Sequence, residues 1–463
     1  MENERPVAGG SEKYTPGPAY HRYLIGLVLA NIAISSVWGM CGILIPNQIQ
    51  MLETARWFTG ADAGVNIQQL SLLQQHLTAG MATAEQTRLL ALLAQFNASK
   101  ASALAIVTAV GVAVTMLAQP LIGVVSDHTR SRLGRRAPLI LFGALGGAAV
   151  FALLPFAPTV VLVGLLYTVG QLLMNIAQSP VAATLADRVQ EKHLGTASSL
   201  GGFGGFVGII GGAVFTGAMF AAFGLWIYVI IAAFVAVICT VFVLIAPDRS
   251  SKDLILEPFR WKEFLVGFAI ALRTADFRWV WIARVLLTFG MSCSLTLGIY
   301  MMQSYIHPAL SAEEATLLAP KLYLAAAPLS MLSTIVAGRL SDRLGRRKPF
   351  VIASSLILAA SFVIPIVSPT LPALFVQAAI SGLAYGIFIP IDQALFIDVL
   401  PDLKSAGRDL GVAQLGFNLG QAIGPIAAGI VVSLTGGYLG VWVTGIVVVT
   451  LAAVAILPVK GAR

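Results

Sequence analysis

Charge is what this sequence has least of: Asp, Glu, Lys and Arg make up 11% of its 463 residues, while 57% are hydrophobic. An ordinary soluble domain carries roughly 25% charged residues, and no water-soluble fold of this length can hide so large an apolar share. Cysteine is also scarce. Cys41, Cys239 and Cys293 are scattered through apolar runs, which excludes a disulfide framework and leaves them as packing residues. The five histidines all lie away from the centres of apolar runs, so a histidine relay and a histidine metal site have no support. No nucleotide loop, zinc spacing or nucleophile elbow occurs, so neither an enzyme, a cofactor nor a metal is expected. Short alternating strands are missing too, and continuous runs such as Val160–Leu166 and Ile446–Leu457 exclude a membrane β-barrel.

What is present is a set of long apolar runs. They fall near 23–49, 101–123, 137–157, 159–187, 196–222, 224–246, 277–305, 318–340, 348–367, 370–399, 408–434 and 437–458, giving twelve expected spans. At about 20 residues each, twelve spans need about 240 residues, close to the apolar share of the chain. The first run is long and lacks a small-residue cleavage pattern after it, so it is expected to stay as span 1.

The net charge of +8 is not arranged along one solvated face, so nucleic acid is not an expected partner. Of the 29 Lys and Arg, only Arg56, Arg88, Lys100 and Lys321 fall in segments on the outer side, and Arg284 lies within span 7. The rest are inner, which puts both termini in the cytoplasm. Within the outer loop 50–100, Gln68–Leu77 and Arg88–Phe96 have helical apolar spacing and predict short amphipathic helices capping the outer mouth. The connection 247–276 carries Phe259, Trp261, Phe264, Phe268 and Leu272 beside charged residues, the pattern of a helix in the membrane interface.

The chain repeats itself. Gly134-Arg135-Arg136 recurs as Gly345-Arg346-Arg347, Pro138 as Pro349, Pro158 as Pro369 and Asp187 as Asp398, all 211 residues on. Leu194-Gly195 recurs as Leu410-Gly411, and Gly204 and Gly208 then match Gly420 and Gly424. A duplicated six-helix unit follows, with halves 1–246 and 277–463 joined by the linker 247–276.

The repeated motif runs Gly123-Val-Val-Ser-Asp127-His-Thr-Arg130-Ser-Arg132-Leu-Gly134-Arg135-Arg136 between spans 2 and 3, and Gly338-Arg339-Leu-Ser-Asp342-Arg343-Leu-Gly345-Arg346-Arg347 between spans 8 and 9. In it the glycines permit close helix approach, the carboxylates can face a helix N-terminus, and the arginines can bridge to acids such as Asp187 and Asp398 at the inner ends of spans 4 and 10. Topology and lipid binding alone would explain the arginines but not the repeated Gly and Asp.

Here the chain resembles the major facilitator superfamily. Four extra residues in the first motif, and span 4 ending Gln178-Ser179-Pro180-Val181-Ala182-Ala183-Thr184-Leu185-Ala186-Asp187, resemble its glycoside-cation symporter branch, which includes the plant sucrose transporters. That branch usually has an acid seven residues before the Gln and an Arg two after the Pro. This chain has Gln171 and Ala182 there, so proton coupling through that pair does not carry over.

Polar side chains are costly facing lipid, so one-sided polar stripes mark interior faces. Span 1 has Asn31, Ser35 and Trp38; span 4 has Thr168, Gln171, Asn175 and Gln178; span 7 has Ser292, Thr296, Tyr300 and Gln303; span 10 has Gln377, Ser381, Tyr385 and Asp392; span 11 adds Gln414, Asn418 and Gln421. The resemblance implies that spans 1, 4, 7 and 10 line a central cavity. These amides and hydroxyls suit a sugar or another neutral polar solute, with Trp38, Tyr300 and Tyr385 as flat faces. The alternative is interhelical glue, worth about 0.6 kcal/mol per bond.

Asp392 is the one acid placed well inside a span and is the coupling candidate, for a proton or cation, unless it pairs with Arg284. Arg284 is expected to snorkel. Span 5, crowded with Gly201, Gly202, Gly204, Gly205, Gly208, Gly211 and Gly212, predicts close packing where the halves meet.

The expected fold is therefore an all-α membrane protein of twelve transmembrane helices in two pseudo-symmetric six-helix domains. The expected function is secondary active transport of a small organic solute by alternating access, as a monomer among the lipids of the plasma membrane. Export of an amphiphilic drug or natural product is the second reading, and a non-transporting membrane sensor or scaffold the third.

Overall fold

A computed structural model describes residues 13–14, 17–76, 82–248, 250–252, 272–400 and 406–460. Among them are fourteen α-helices, and the one strand-like feature is an isolated bridge between Tyr14 and Val189. The helices are α1 (Pro18–Trp57), α2 (Ile67–His76), α3 (Ala84–His128), α4 (Ala137–Leu153), α5 (Val160–Arg188), α6 (Glu191–Phe223) and α7 (Ile227–Ile245). They continue as α8 (Ala275–Thr296), α9 (Gly298–Ser304), α10 (Ala312–Leu344), α11 (Lys348–Val367), α12 (Leu371–Asp398), α13 (Ala406–Thr435) and α14 (Leu439–Ala455). Ten helical stretches are long and apolar enough to cross a membrane, one of which, Glu191–Ile245, holds both α6 and α7; Leu439–Ala455 is a shorter apolar helix. Each expected span thus has a helix, with span 7 divided between α8 and α9 at Leu297. The aromatic positions expected of an interfacial helix, Phe259 to Phe268, lie outside the described residues.

The chain forms two compact units: Met1–Leu44 with Val114–Phe259, and Ile45–Ala113 with Arg260–Arg463. The ends of α1 and α3 nearest residues 58–83 belong to the second unit. These ends are called the loop end below, and the opposite ends the arginine end.

The repeat holds at atomic detail. α4 and α11 each carry proline in the first turn, preceded by Arg136 and Arg347 in helical conformation and by Gly134 and Gly345 at φ +87° and +60°. Thr159 and Thr370 cap α5 and α12 alike, their hydroxyls accepting from the N–H groups of Leu162 and Ala373 at 3.3 and 3.4 Å.

Span 5 differs from expectation in what its glycines face. A Cβ at Gly204, Gly208 or Gly212 would come within 2.8, 2.4 and 2.3 Å of the carbonyls of Val28, Ile32 and Ser36, so this stripe of α6 packs backbone to backbone on α1 within the first unit. Gly420 and Gly424 of α13 meet the Val285 and Phe289 carbonyls of α8 in the same way, at 2.5 and 2.6 Å. The small-residue stripe therefore serves helix pairing inside each unit, because only a hydrogen side chain lets two backbones approach so closely.

At the loop end, α2 confirms one expected amphipathic helix, but Arg88–Phe96 is not a separate one. It is the beginning of α3, whose 45 residues run about 67 Å at 1.5 Å per residue, more than twice the hydrocarbon thickness. Thr83 and Gln86 start it with a reciprocal pair of side-chain to backbone bonds, 2.9 and 3.2 Å. No glycine or proline interrupts it before Gly111. Phe58, Leu70, Leu93 and Phe96 form a buried cluster under α2 with Trp57, Leu73 and Leu89.

Candidate functional site

The first motif copy folds into a closed network in the first unit. Gly134 takes a left-handed conformation, and a Cβ on it would lie within 2.5 Å of the Asp248 carboxylate. That carboxylate accepts from the backbone N–H groups of both Arg135 and Arg136, 3.0 and 3.1 Å, at the positive end of α4. With the backbone so held, Arg135 reaches Asp187 at 2.6 Å, and Arg136 binds Asp187 at 2.9 Å, Asp127 at 2.7 Å and the Ser126 hydroxyl at 2.6 Å. Arg188 closes the ring, donating to the Ala246 carbonyl at 2.7 Å and lying 3.6 Å from Asp248.

The second copy is sparser. Arg347 pairs with Asp398 at 3.1 Å, Ser341 donates to the Arg346 carbonyl at 3.2 Å, and Asp342 and Arg346 are exposed. In both copies the arginine binds the acid of its own half. A Cβ at Gly123 or Gly338 would meet nothing within 4 Å, so the close approach expected at these two glycines is absent here. Asp248 and Arg188 were missed in the sequence because each reads as one more inner charge; only the chain's return through the motif gives them a role.

Within the spans, Arg284 does not snorkel. It is buried on α8, its guanidinium binding Asp392 of α12 through Nε at 2.6 Å and also through an η nitrogen, and lying 4.1 Å above the Phe396 ring. The desolvation that a lone arginine avoids by snorkelling is offset here by a carboxylate and a ring face.

The polar stripes divide. Asn31 donates to the Leu27 carbonyl, and Asn31 and Ser35 stand against Gly204, Gly205 and Gly208 of α6; Trp38 is half-buried. On α5, Asn175 donates to the Gln171 carbonyl and the Gln171 amide to Tyr167, both at 2.9 Å, while Gln178 is half-buried. The Oε1 of Gln171 and Oγ1 of Thr168 are buried without a hydrogen-bond partner. On α12, Gln377 donates to Ser381, which meets Ser361 of α11, and Tyr385 is half-buried. Thr296 is taken up by the Ser292 carbonyl, and Gln414 reaches Asn418 at 3.4 Å.

Tyr300 and Gln303 sit at the loop end of the second unit. Tyr300 is fully buried on α9 and donates to the Pro46 carbonyl of α1 at 2.8 Å; Gln303 is buried with its Nε2 unpartnered. Beside them is Lys100, expected in the outer segment and instead wholly buried, its ammonium 4.7 Å from the Phe96 ring centre and 4.6 Å from that of Tyr300. Glu53 is a second buried acid, bound by Ser99 at 2.5 Å and Trp57 at 3.0 Å. Glu53 lies one turn past the expected end of span 1 at 49 and Lys100 one residue before the expected start of span 2 at 101, and the unbroken apolar spacing before residue 101 was the signal that α3 starts earlier.

A duplicated all-helical bundle with an arginine–aspartate loop at equivalent places in each half defines a polytopic membrane transporter. The chain belongs to the Major Facilitator Superfamily, whose family model matches residues 76–336 and 299–462. This family is one of transporters, so the chain is a transporter and not an enzyme. A search of curated protein sequences finds no match. Among solved structures it is similar, at 14% identity, to a bacterial homologue of the human lysosomal transporter Spinster in an inward-facing, occupied conformation, with a TM-score of 0.67 over 97% of this chain and 98% of that one. The unoccupied form of that homologue gives a TM-score of 0.63 over 96% and 95%. A mutant of the nucleoside transporter NupG gives 0.69, also at 14% identity, over 94% of this chain and 99% of that one. At such identity these likenesses establish the fold alone.

Proposed function

We propose that this protein moves a small, neutral, polar organic solute, sugar- or glycoside-like, through the plasma membrane by alternating access of the halves 1–246 and 277–463. Both termini are cytoplasmic in this reading, and the protein works as a monomer. The observation that carries it is that, among the buried polar atoms without a hydrogen-bond partner, three lie on the polar stripes of spans 4 and 7: Thr168 Oγ1, Gln171 Oε1 and Gln303 Nε2. Each costs free energy unless water or a ligand completes it, and both donors and acceptors without net charge match a polyol. The resemblance to the glycoside-cation branch agrees with this substrate class. Coupling, in this reading, runs through Asp392, whose release from Arg284 lets it take a proton.

The test is uptake and efflux of a panel of sugars, glycosides, nucleosides and amphiphilic dyes by proteoliposomes, with and without an imposed pH gradient. Saturable uptake of a sugar or glycoside, raised by an inward proton gradient, is expected. Transport confined to dyes, in the export direction, would replace this reading with export of an amphiphile.

A further inference from the structure

The loop end of the second unit is sealed by hydrogen bonds that join the ends of α1 and α3 to the C-terminal helices. Tyr300 binds the Pro46 carbonyl at 2.8 Å, Thr316 donates to Asn47 at 2.9 Å, and Ser102 meets Ser433 at 2.7 Å. Gln75 of α2 clamps the connection between α9 and α10, donating to the Ile306 carbonyl at 2.8 Å and accepting from the Ala309 N–H at 3.2 Å.

Among the described residues whose buried polar atoms have no hydrogen-bond partner, Lys100 is the one cation, and it lies at this seal. The Lys100 ammonium is wholly buried and has no hydrogen-bond partner. Glu53, the buried carboxylate of this end, is engaged by Ser99 and Trp57. Two ring faces offset part of the desolvation of an ammonium, but they provide none of the acceptors its three N–H bonds have in water. One of those rings belongs to Tyr300, on a short helix set off from α8 by the break at Leu297.

We propose that Lys100 is a positioning residue of the gate at the loop end: its uncompensated charge, caged by Phe96 and Tyr300, makes the sealed state costly, and its hydration drives the seal open. The seal's hydrogen bonds and this charge act in opposite senses, which keeps closure reversible. The inference rests on the alternating-access reading above, and it gives Tyr300 a role in the gate rather than in solute binding.

Lys100→Met tests it, because methionine keeps an unbranched, flexible side chain one atom shorter that can still pack beside the rings while removing the charge. Nitroxide labels on Ala91→Cys and Glu313→Cys, exposed positions on α3 and α10, report the opening by electron-electron distance distributions; the native cysteines are buried. Lys100→Met is expected to raise the unfolding temperature in detergent by several degrees and to cut the long-distance population at least five-fold. An unchanged or lower unfolding temperature, or an unchanged open population, overturns the proposal. Failure of Lys100→Met to fold does so equally, since the proposal requires that loss of this charge stabilise the sealed state. If neither protein shows an open population, the alternating-access reading falls as well, whereas an open population insensitive to Lys100→Met removes Lys100 alone.

Discussion

Gly134 and Gly345 occupy the same place in the repeat and share a left-handed backbone, yet their surroundings differ. A side chain at Gly345 meets only its backbone strain, of order 1–2 kcal/mol, since nothing lies within 4 Å of it. One at Gly134 also collides with Asp248, the carboxylate that caps α4 and seats both arginines. Gly134→Ala is therefore expected to lower the unfolding temperature in detergent by clearly more than Gly345→Ala, and to halve transport or worse by releasing Arg136 from Asp187. Equal losses from the two would show that the Asp248 cap contributes little. The equivalence of the two glycines was legible in the sequence, because a repeated Gly-Arg-Arg records a backbone requirement. The difference was not, because Asp248 lies 114 positions from Gly134 and only the three-dimensional return of the chain joins them.

Among the elements, the glycine stripe of α6 shows how spacing yields a contact but not its partner. Four-residue intervals told that one face must be approached closely; they did not tell whether by a helix of the same half or the other. A Cβ on Gly208 would lie 2.4 Å from the Ile32 carbonyl of α1, whereas one on Gly211, on another face, would meet nothing within 4 Å. Gly208→Ala should push α1 and α6 apart at a cost of about 1–3 kcal/mol, the usual range for overpacking. Gly211→Ala should be neutral or slightly stabilising, as alanine favours helix over glycine. Thermal unfolding of the two variants side by side checks this, and comparable destabilisation of both would assign the stripe no directional role. Span positions were legible throughout because an apolar run of the required length is nearly sufficient for a membrane helix. Helix ends outside the bilayer were not: α3 continues 17 residues beyond the expected start at 101, where ordinary amphipathic rules replace hydropathy.

At the scale of the whole molecule, coupling requires that one protonation change bias two states of the entire bundle. Asp392 is the intramembrane acid the sequence reading singled out, but the ion pair with Arg284 changes what a single substitution means. Asp392→Asn alone leaves a guanidinium buried beside Phe396 without its carboxylate, and breaking a buried pair from one side costs about 3–5 kcal/mol. The expected result is low expression with accumulation and exchange falling together, which says nothing about protons. Removing both charges with Arg284→Gln and Asp392→Asn together avoids the orphan, and such replacements are often neutral for folding. That double variant should express near the level of the unsubstituted protein and exchange solute across the membrane, because exchange needs no change in protonation. It should fail to accumulate solute against its gradient when a proton gradient is imposed. Full accumulation by a well-expressed double variant would remove Asp392 from coupling, and with Gln171 unable to titrate it would leave uniport or another coupling ion as the mode of transport.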